Sequence, residues 1–527
     1  MKKTCYLFLL FAGWLMIGTS CLDDLNTSPL EGGLATTPDV AWENSETYEK
    51  FAAKIYACFA MSGNNGPNGL DDLSAEDQGE ATFLRSYWNL QELTTDEAVC
   101  AWEDDGLSGL MFCNWTSANR FTNLSYNRIL MTIAYCNEYL RQTDDSKLSE
   151  RNVEDALKET VQTYRAEVRA IRAMKYFFLM DLFANVPFVT EDMPVGEPGY
   201  LPVQKGREFF FPWIESELKS VENRLPEKSA STYGRISNPV VWMTLAKMYL
   251  NSEIYTGEKR YTDAVTYLAK ITGAGYALDP VYRNMFGADN HLSPEIIFPV
   301  VFDGQKTTSY GGTTYLMAGA YDPDDMEPES NFGLNQAWKG IRAKETLSDL
   351  FTEKDKRALF WTNGRTRECS PLYDFKAGYS VVKYVNKKSD GTPGSNPAFP
   401  DTDFPFFRLA DAYLMYAEAV LRGGEGGSRD TALWYVNEIR KRAGVPGISD
   451  YELSLDFLLE ERARELYWEG HRRTDLIRFN RFTANYRWPW KNGVYLGTNN
   501  ISDHYKLFPI PGTELSANPN MEQNKGY

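Results

Sequence analysis

Glu92, Asp96 and Glu97 stand close enough along the chain to supply the two carboxylates with which a glycosidase cuts a sugar linkage. That chemistry needs a separation of about 5–10 Å, which spacing alone does not set, and no other glycosidase motif accompanies them, so catalysis is not expected. A second acidic row, Glu461, Glu465 and Glu469, recurs every fourth residue beside Arg462, Arg464, Arg472 and Arg473. Such a row marks a charged helix face or an internal ion network. Asp322-Pro-Asp-Asp325 and Asp289-Asn290 offer oxygen ligands for a structural calcium, though without EF-hand spacing. With 3 His and no CxxC pair there is little for a zinc site, and no other cofactor is expected. The run 423–427 lacks the setting of a phosphate loop and reads as a turn between helices. What the chain has in quantity is aromatic surface, with Trp 13, Tyr 32 and Phe 29. Rings fill cores, or offer flat faces to a ligand such as a sugar, whose C–H face stacks while polar groups meet its hydroxyl edge.

The two ends of the charge and hydropathy pattern narrow the setting. Lys2 and Lys3 precede the apolar run from Tyr6 to Ile17, followed by Gly18, Thr19, Ser20 and Cys21, the pattern of a secretion signal. Small residues directly before a cysteine suit a lipoprotein signal peptidase, after which the thiol carries lipid; Gly18 stands where that pattern usually has leucine. Residues 1–20 are therefore expected to be removed and Cys21 to anchor the chain to a membrane surface. An ordinary signal with a chance cysteine is the competing reading. No later stretch approaches about 20 uninterrupted apolar residues, so no membrane-crossing helix is expected. A net charge of -17 leaves no basic excess to displace counterions, which argues against a nucleic-acid partner. Cys100 and Cys113 are near enough in sequence to pair, but free buried thiols are the expectation for the cysteines beyond Cys21.

The elements that must position any site are mostly helices. Segments 160–183, 208–225, 238–252, 260–272, 407–421, 428–442 and 453–469 carry a 3.6-residue apolar period, with small residues where two helices must approach. Leu245-Ala-Lys-Met-Tyr-Leu250 followed by Tyr261-Thr-Asp-Ala264 has the large–small alternation of a tetratricopeptide helix pair. The fold class is thus mainly α, a tetratricopeptide-like scaffold at about 126–275 and 405–480. Stretches 60–125 and 280–405 are rich in Gly, Asn, Asp, Pro and aromatics without sustained period, and read as long ordered loops with short strands. A ligand is expected there. Trp88, Trp115, Trp242, Trp434 and Trp468 lie in helical or framework blocks and are expected in the core.

Four blocks carry a family resemblance: Arg165-Ala-Glu-Val-Arg-Ala-Ile-Arg-Ala-Met-Lys-Tyr176 through Phe183-Ala-Asn-Val-Pro187; Phe407-Arg-Leu-Ala-Asp-Ala-Tyr-Leu-Met-Tyr-Ala-Glu-Ala419; Glu461 through Arg478; and Pro509-Ile-Pro through Gln523-Asn-Lys-Gly-Tyr527. In this order the chain resembles the SusD/RagB-like nutrient-binding outer-membrane lipoproteins. The acidic start Cys21-Leu-Asp-Asp-Leu-Asn26 also resembles the surface-export signal of Bacteroidetes lipoproteins. The resemblance implies one unit over 21–527, an outer-membrane address on the cell exterior, and a SusC-like TonB-dependent transporter as partner.

Within the inserts, Asp77-Gln-Gly-Glu-Ala-Thr-Phe-Leu-Arg85, Glu92-Leu-Thr-Thr-Asp-Glu97 with Ala101-Trp102, Tyr310-Gly-Gly-Thr-Thr-Tyr-Leu316 and Trp338 resemble the starch-binding branch of that family. The resemblance implies an arc of Trp102, Tyr310 and Trp338 for maltooligosaccharides, with Asp77, Arg85 and Asp105 as hydrogen-bonding neighbours; Asp105 stands where the starch binder has an amide. Core packing is the competing reading for each ring, but their Gly- and Asp-rich surroundings favour the surface. A different glycan or a peptide on the same scaffold, and an outer-membrane glycoside hydrolase, are the alternative functions.

Overall fold

The computed structural model describes residues 38–63, 66–67 and 72–527; the secretion signal and Cys21 lie outside them. Long helices run Arg120–Gln142, Asp155–Leu182, Arg207–Val221, Asn238–Leu250, Tyr261–Thr272, Leu409–Leu421, Arg429–Ala443 and Leu455–Leu466. Neighbours in sequence pack as pairs, Arg120–Gln142 on Asp155–Leu182 and Asn238–Leu250 on Tyr261–Thr272. Tyr261–Thr272 then packs on Leu409–Leu421, closing the insert between them, and Leu409–Leu421 on Arg429–Ala443. Every predicted helix is present within a few residues. The start of 407–421 is instead strand, because Phe404–Arg408 pairs with Ile296–Val300 before the chain turns helical.

Local chemistry sets the ends. Asn119 accepts from the N–H groups of Phe121 and Thr122, and Ser454 from that of Phe457, satisfying donors that a helix start leaves open. Arg429–Ala443 stops at Gly444, whose φ of 78° suits a residue without Cβ. The run 423–427 is indeed the turn between the Leu409–Leu421 and Arg429–Ala443 helices.

Among the described residues eight short strands form four antiparallel pairs: β1 (Ala98–Cys100) with β5 (Ile341–Ala343), β2 (Val186–Phe188) with β3 (Val203–Lys205), β4 (Ile296–Val300) with β8 (Phe404–Arg408), and β6 (Phe360–Trp361) with β7 (Ser380–Val381). Stretch 60–125 departs from the expectation of loop. It contains helices Phe83–Trp88 and Leu107–Phe112 and a π-helical turn Asn89–Leu93, and Gly79–Ala101 is buried throughout. The two pieces within 79–101, of five or six residues and buried on all sides, leave no amphipathic period to read, and Leu107–Phe112 is too short to show one.

The acidic row resolves as an internal ion network. Glu461, Glu465 and Glu469 are buried, and Arg408 meets Glu469 at 2.6 Å, Glu465 at 2.6 Å and Glu295 at 2.9 Å. Arg357 adds Glu461 at 2.7 Å and Asp355 at 2.8 Å. Glu92, Asp96 and Glu97 belong to the same architecture. Arg472 grips Asp96 through two contacts of 2.7 Å, and Glu92 accepts the Gly470 N–H at 2.6 Å, so these carboxylates tie the insert to the scaffold. All three are buried.

The framework blocks meet as well: Asn524 donates to the carbonyls of Phe183 and Phe508, and Asn185 donates to Asn524. Trp88, Trp115 and Trp468 are core residues and Trp242 is half-buried. Trp434 is a correction, 53% exposed, because its helix turns Ala432, Tyr435, Val436 and Ile439 inward and leaves position 434 outside that stripe. Cys58, Cys100, Cys113, Cys136 and Cys369 are free and buried. Among the described residues no helix is long and apolar enough to cross a membrane.

Candidate functional site

The β1–β5 ladder is short, but it decides where two indoles go. Cys100 pairs with Ile341, and the Ala101 N–H donates to the Gly340 carbonyl at 2.9 Å, so Trp102 leaves one strand beside the point where Trp338 enters the other. The indole N–H of Trp102 donates to the Lys339 carbonyl at 2.7 Å. Gly340 makes room for it, since a Cβ there would lie 2.3 Å from Trp102 Nε1, and its φ of +127° is itself a glycine conformation. The backbone N–H of Trp338 donates to the Ala318 carbonyl at 2.6 Å and fixes its chain from behind.

Tyr310 arrives from a third segment. Its backbone presses on Gly79, where a Cβ would meet the Tyr310 carbonyl carbon at 2.5 Å. The ring centroid lies 6.1 Å from that of Trp338 and 5.3 Å from that of Phe399. Beneath the indoles, Tyr315 packs 6.0 Å from Trp102 and donates to Asn89 at 2.7 Å.

These segments enclose one cleft of about 630 Å³ lined by Asp77, Gln78, Arg85, Ala101, Trp102, Glu103, Asp104, Tyr310, Trp338, Tyr373 and Phe375. Five of the six residues expected at a site are therefore together: Trp102, Tyr310, Trp338, Asp77 and Arg85. Asp105 is not among them. It is exposed, while Asp104, whose carbonyl accepts from the Leu107 N–H at the turn into the Leu107–Phe112 helix, lines the cleft instead. The turn offsets the acidic pair by one position, which spacing along the chain does not reveal.

Arg85 is 5% exposed and its guanidinium lies 4.5 Å from the Tyr315 ring centre and 3.9 Å from Asp77. Its Nε has no hydrogen-bond partner among the described residues. Burial, reinforced by the charge of Asp77 and opposed by Arg85, raises the Asp104 carboxyl above the usual range. Behind the turn, burial pushes Glu80 up to about 7, and Arg120 bridges Glu80 at 2.9 Å and Asp104 at 3.8 Å.

Gln78, Glu103, Asp104, Tyr373 and Phe375 were missed from sequence. Tyr373 and Phe375 lie in the aromatic-rich 280–405 insert, the signal that could have pointed to them, but only the path of the chain brings them back to the indoles. The aspartates considered for calcium are otherwise engaged. Asp322 and Asp325 both receive Lys376, at 2.7 and 2.6 Å, and Asp289 accepts from Ser389. Among the described residues no group of three or more His, Cys, Asp or Glu is placed to hold a metal.

The class of protein that the fold defines is a helix-pair scaffold whose inserts frame an open, ring-lined cleft. The chain belongs to the SusD family, which residues 357–527 match. Over the whole of both chains it is 33% identical to the Starch-binding protein SusD of Bacteroides thetaiotaomicron. SusD-like protein P2 of Formosa agariphila is 24% identical, over 70% of this chain and 74% of that one. Among solved structures, Surface glycan-binding protein A from Bacteroides thetaiotaomicron in complex with laminarihexaose superposes with a TM-score of 0.69 at 21% identity, covering 91% of this chain and 99% of that one. A SusD superfamily protein from Parabacteroides distasonis reaches 0.70 at 21% identity, covering 92% and 99%. At that identity the two structures speak for the fold.

Proposed function

We propose that this protein is a non-catalytic glycan-binding lipoprotein of the outer membrane that captures starch-type α-glucans and hands them to a SusC-like TonB-dependent transporter. In this reading residues 21–527 act as one unit held to the cell exterior by lipid on Cys21. The observation that carries it is the convergence of Trp102, Tyr310 and Trp338 on one open cleft beside Asp77 and the unpartnered Nε of Arg85. The whole-length relation to a starch-binding protein supports the choice of α-glucan.

Stacking supplies the affinity and the polar edge supplies orientation. If each ring hides about 40–50 Å² of sugar, burial at about 25 cal/mol/Å² gives about 1 kcal/mol per platform. Three platforms give about 3–4 kcal/mol before hydrogen bonds and ordering costs, which corresponds to dissociation constants on the order of millimolar to micromolar. Weak binding suits a protein that must release its cargo, and several copies on one polymer gain avidity. Neither recognition nor release requires a cofactor, and the buried Glu92, Asp96 and Glu97 are spent on holding the fold.

Affinity electrophoresis in gels containing amylopectin, pullulan, dextran or laminarin tests the reading. Retardation by amylopectin and pullulan, lost when Trp102, Tyr310 and Trp338 are all replaced by Ala while helical circular dichroism is unchanged, is the expected result. Retardation by laminarin alone would assign a different glycan, and release of reducing sugar by the purified protein would make it an enzyme.

A further inference from the structure

The cleft has a second wall whose construction differs from the first. Tyr373 is 47% exposed and lines the cleft together with Phe375, on a loop that lies outside the helices and strands, between β6 and β7. Two sets of interactions hold that loop. From below, Arg342 of β5, fully buried, donates to the carbonyls of Leu372 and Asp374, the residues on either side of Tyr373. From the side, Lys376 spans Asp322 at 2.7 Å and Asp325 at 2.6 Å. Arg365 repeats the link, pairing with Asp322 at 3.1 Å while donating to the Phe375 carbonyl at 2.8 Å. Lys339, next to Trp338, pairs with Asp324 at 2.9 Å and lies 5.4 Å from the Phe375 ring centre. Asp322, Asp324 and Asp325 thus act as posts to which the loop is tied by cations.

A half-exposed ring on the wall of a cleft still offers a flat face to a ligand, and fixing it on a strapped loop removes the ordering cost that a free loop would meet on binding. Resting on the glycan reading above, we propose that Tyr373 is a fourth sugar-stacking ring, and that the Asp322–Lys376–Asp325 strap is a positioning device that holds it at the cleft. Tyr373 would touch the ligand; Lys376 and the aspartates would act only through it.

Isothermal titration of the mature chain with maltoheptaose tests this in a double-mutant cycle. Tyr373→Ala is expected to weaken binding about fivefold, the share of one platform, and Tyr373→Phe, which keeps the ring, to recover most of that loss. Lys376→Gln breaks the strap at a partly exposed position without leaving a buried cation unpaired. It is expected to weaken binding about threefold in the natural background and to have no effect once Tyr373 is Ala, because the two then share one pathway. Affinity untouched by Tyr373→Ala overturns the fourth ring. An equal loss from Lys376→Gln in both backgrounds overturns the strap as a device acting through Tyr373. If the natural chain fails to bind maltoheptaose at all, the starch reading falls and this inference with it, a result distinct from a loss or its absence at Tyr373 alone.

Discussion

Gly340 and Trp102 show how much of the cleft depends on single atoms. A methyl group at 340 would sit 2.3 Å from the Trp102 indole nitrogen, so the ring must swing and give up its bond to the Lys339 carbonyl. Gly340→Ala is therefore expected to weaken maltoheptaose binding at least about fivefold, as much as removing one platform, with a change in tryptophan emission and little loss of helical signal. Binding as tight as in the natural chain would mean that Trp102 is not a platform. The sequence presents Trp102, Tyr310 and Trp338 as rings in loop-like surroundings, but it is silent on Gly340 and Gly79, whose importance comes only from what their missing side chains let past.

At the scale of elements, the scaffold and the insert are joined by buried charge. Arg408, at the end of β8, satisfies carboxylates from Glu295, Glu465 and Glu469 at once. Removing it leaves three buried acids short of a partner, so Arg408→Met is expected to cost about 3–5 kcal/mol, read as a lower denaturant midpoint. Double replacement of Arg408 and Glu469 by apolar residues should restore part of it, since the penalty lies in the orphaned charge. The periodic helices were legible because each shows one apolar face to a neighbour. The pieces between Gly79 and Ala101 were not, because burial on every side erases that contrast. The i+4 carboxylate row was legible as charge, while its partners Arg357 and Arg408, from other elements, were not.

At the scale of the molecule, charge governs both stability and selectivity. Burial opposes ionisation of Asp475, but Arg462 and Arg478 outweigh it and hold the carboxyl at about 2. Its contribution is complete above about pH 4 and is lost as pH falls toward 2. Asp403 is the opposite case. Burial pushes it up to about 7 despite hydrogen bonds from Tyr233 and the Phe302 N–H, so its contribution is complete below about pH 4 and lost as pH rises through 7. Burial raises Glu80 to about 7 with the same sign. Denaturation midpoints should climb from about pH 2 to 4 and decline from about 5 to 7, and Asp403→Asn should flatten the second limb. A midpoint that keeps rising to pH 7 in the natural chain would contradict this assignment. The cleft itself carries Asp77, Glu103 and Asp104 against Arg85. Amylose oxidised to carboxylates at C6 is accordingly expected to bind on the order of tenfold more weakly than amylose at low salt, with the gap closing as salt rises.

The apolar period, the acidic balance and the four framework blocks suffice to specify a helix-pair protein of this family, because those features act locally or through composition. Which rings share a cleft is another matter. Trp102 meets the Lys339 carbonyl across 237 positions of sequence, Tyr373 returns over them on a loop tied by Lys376, and a single turn chooses Asp104 over Asp105. Only packing in three dimensions decides such encounters, since a contact between distant segments leaves no period, spacing or composition in either of them.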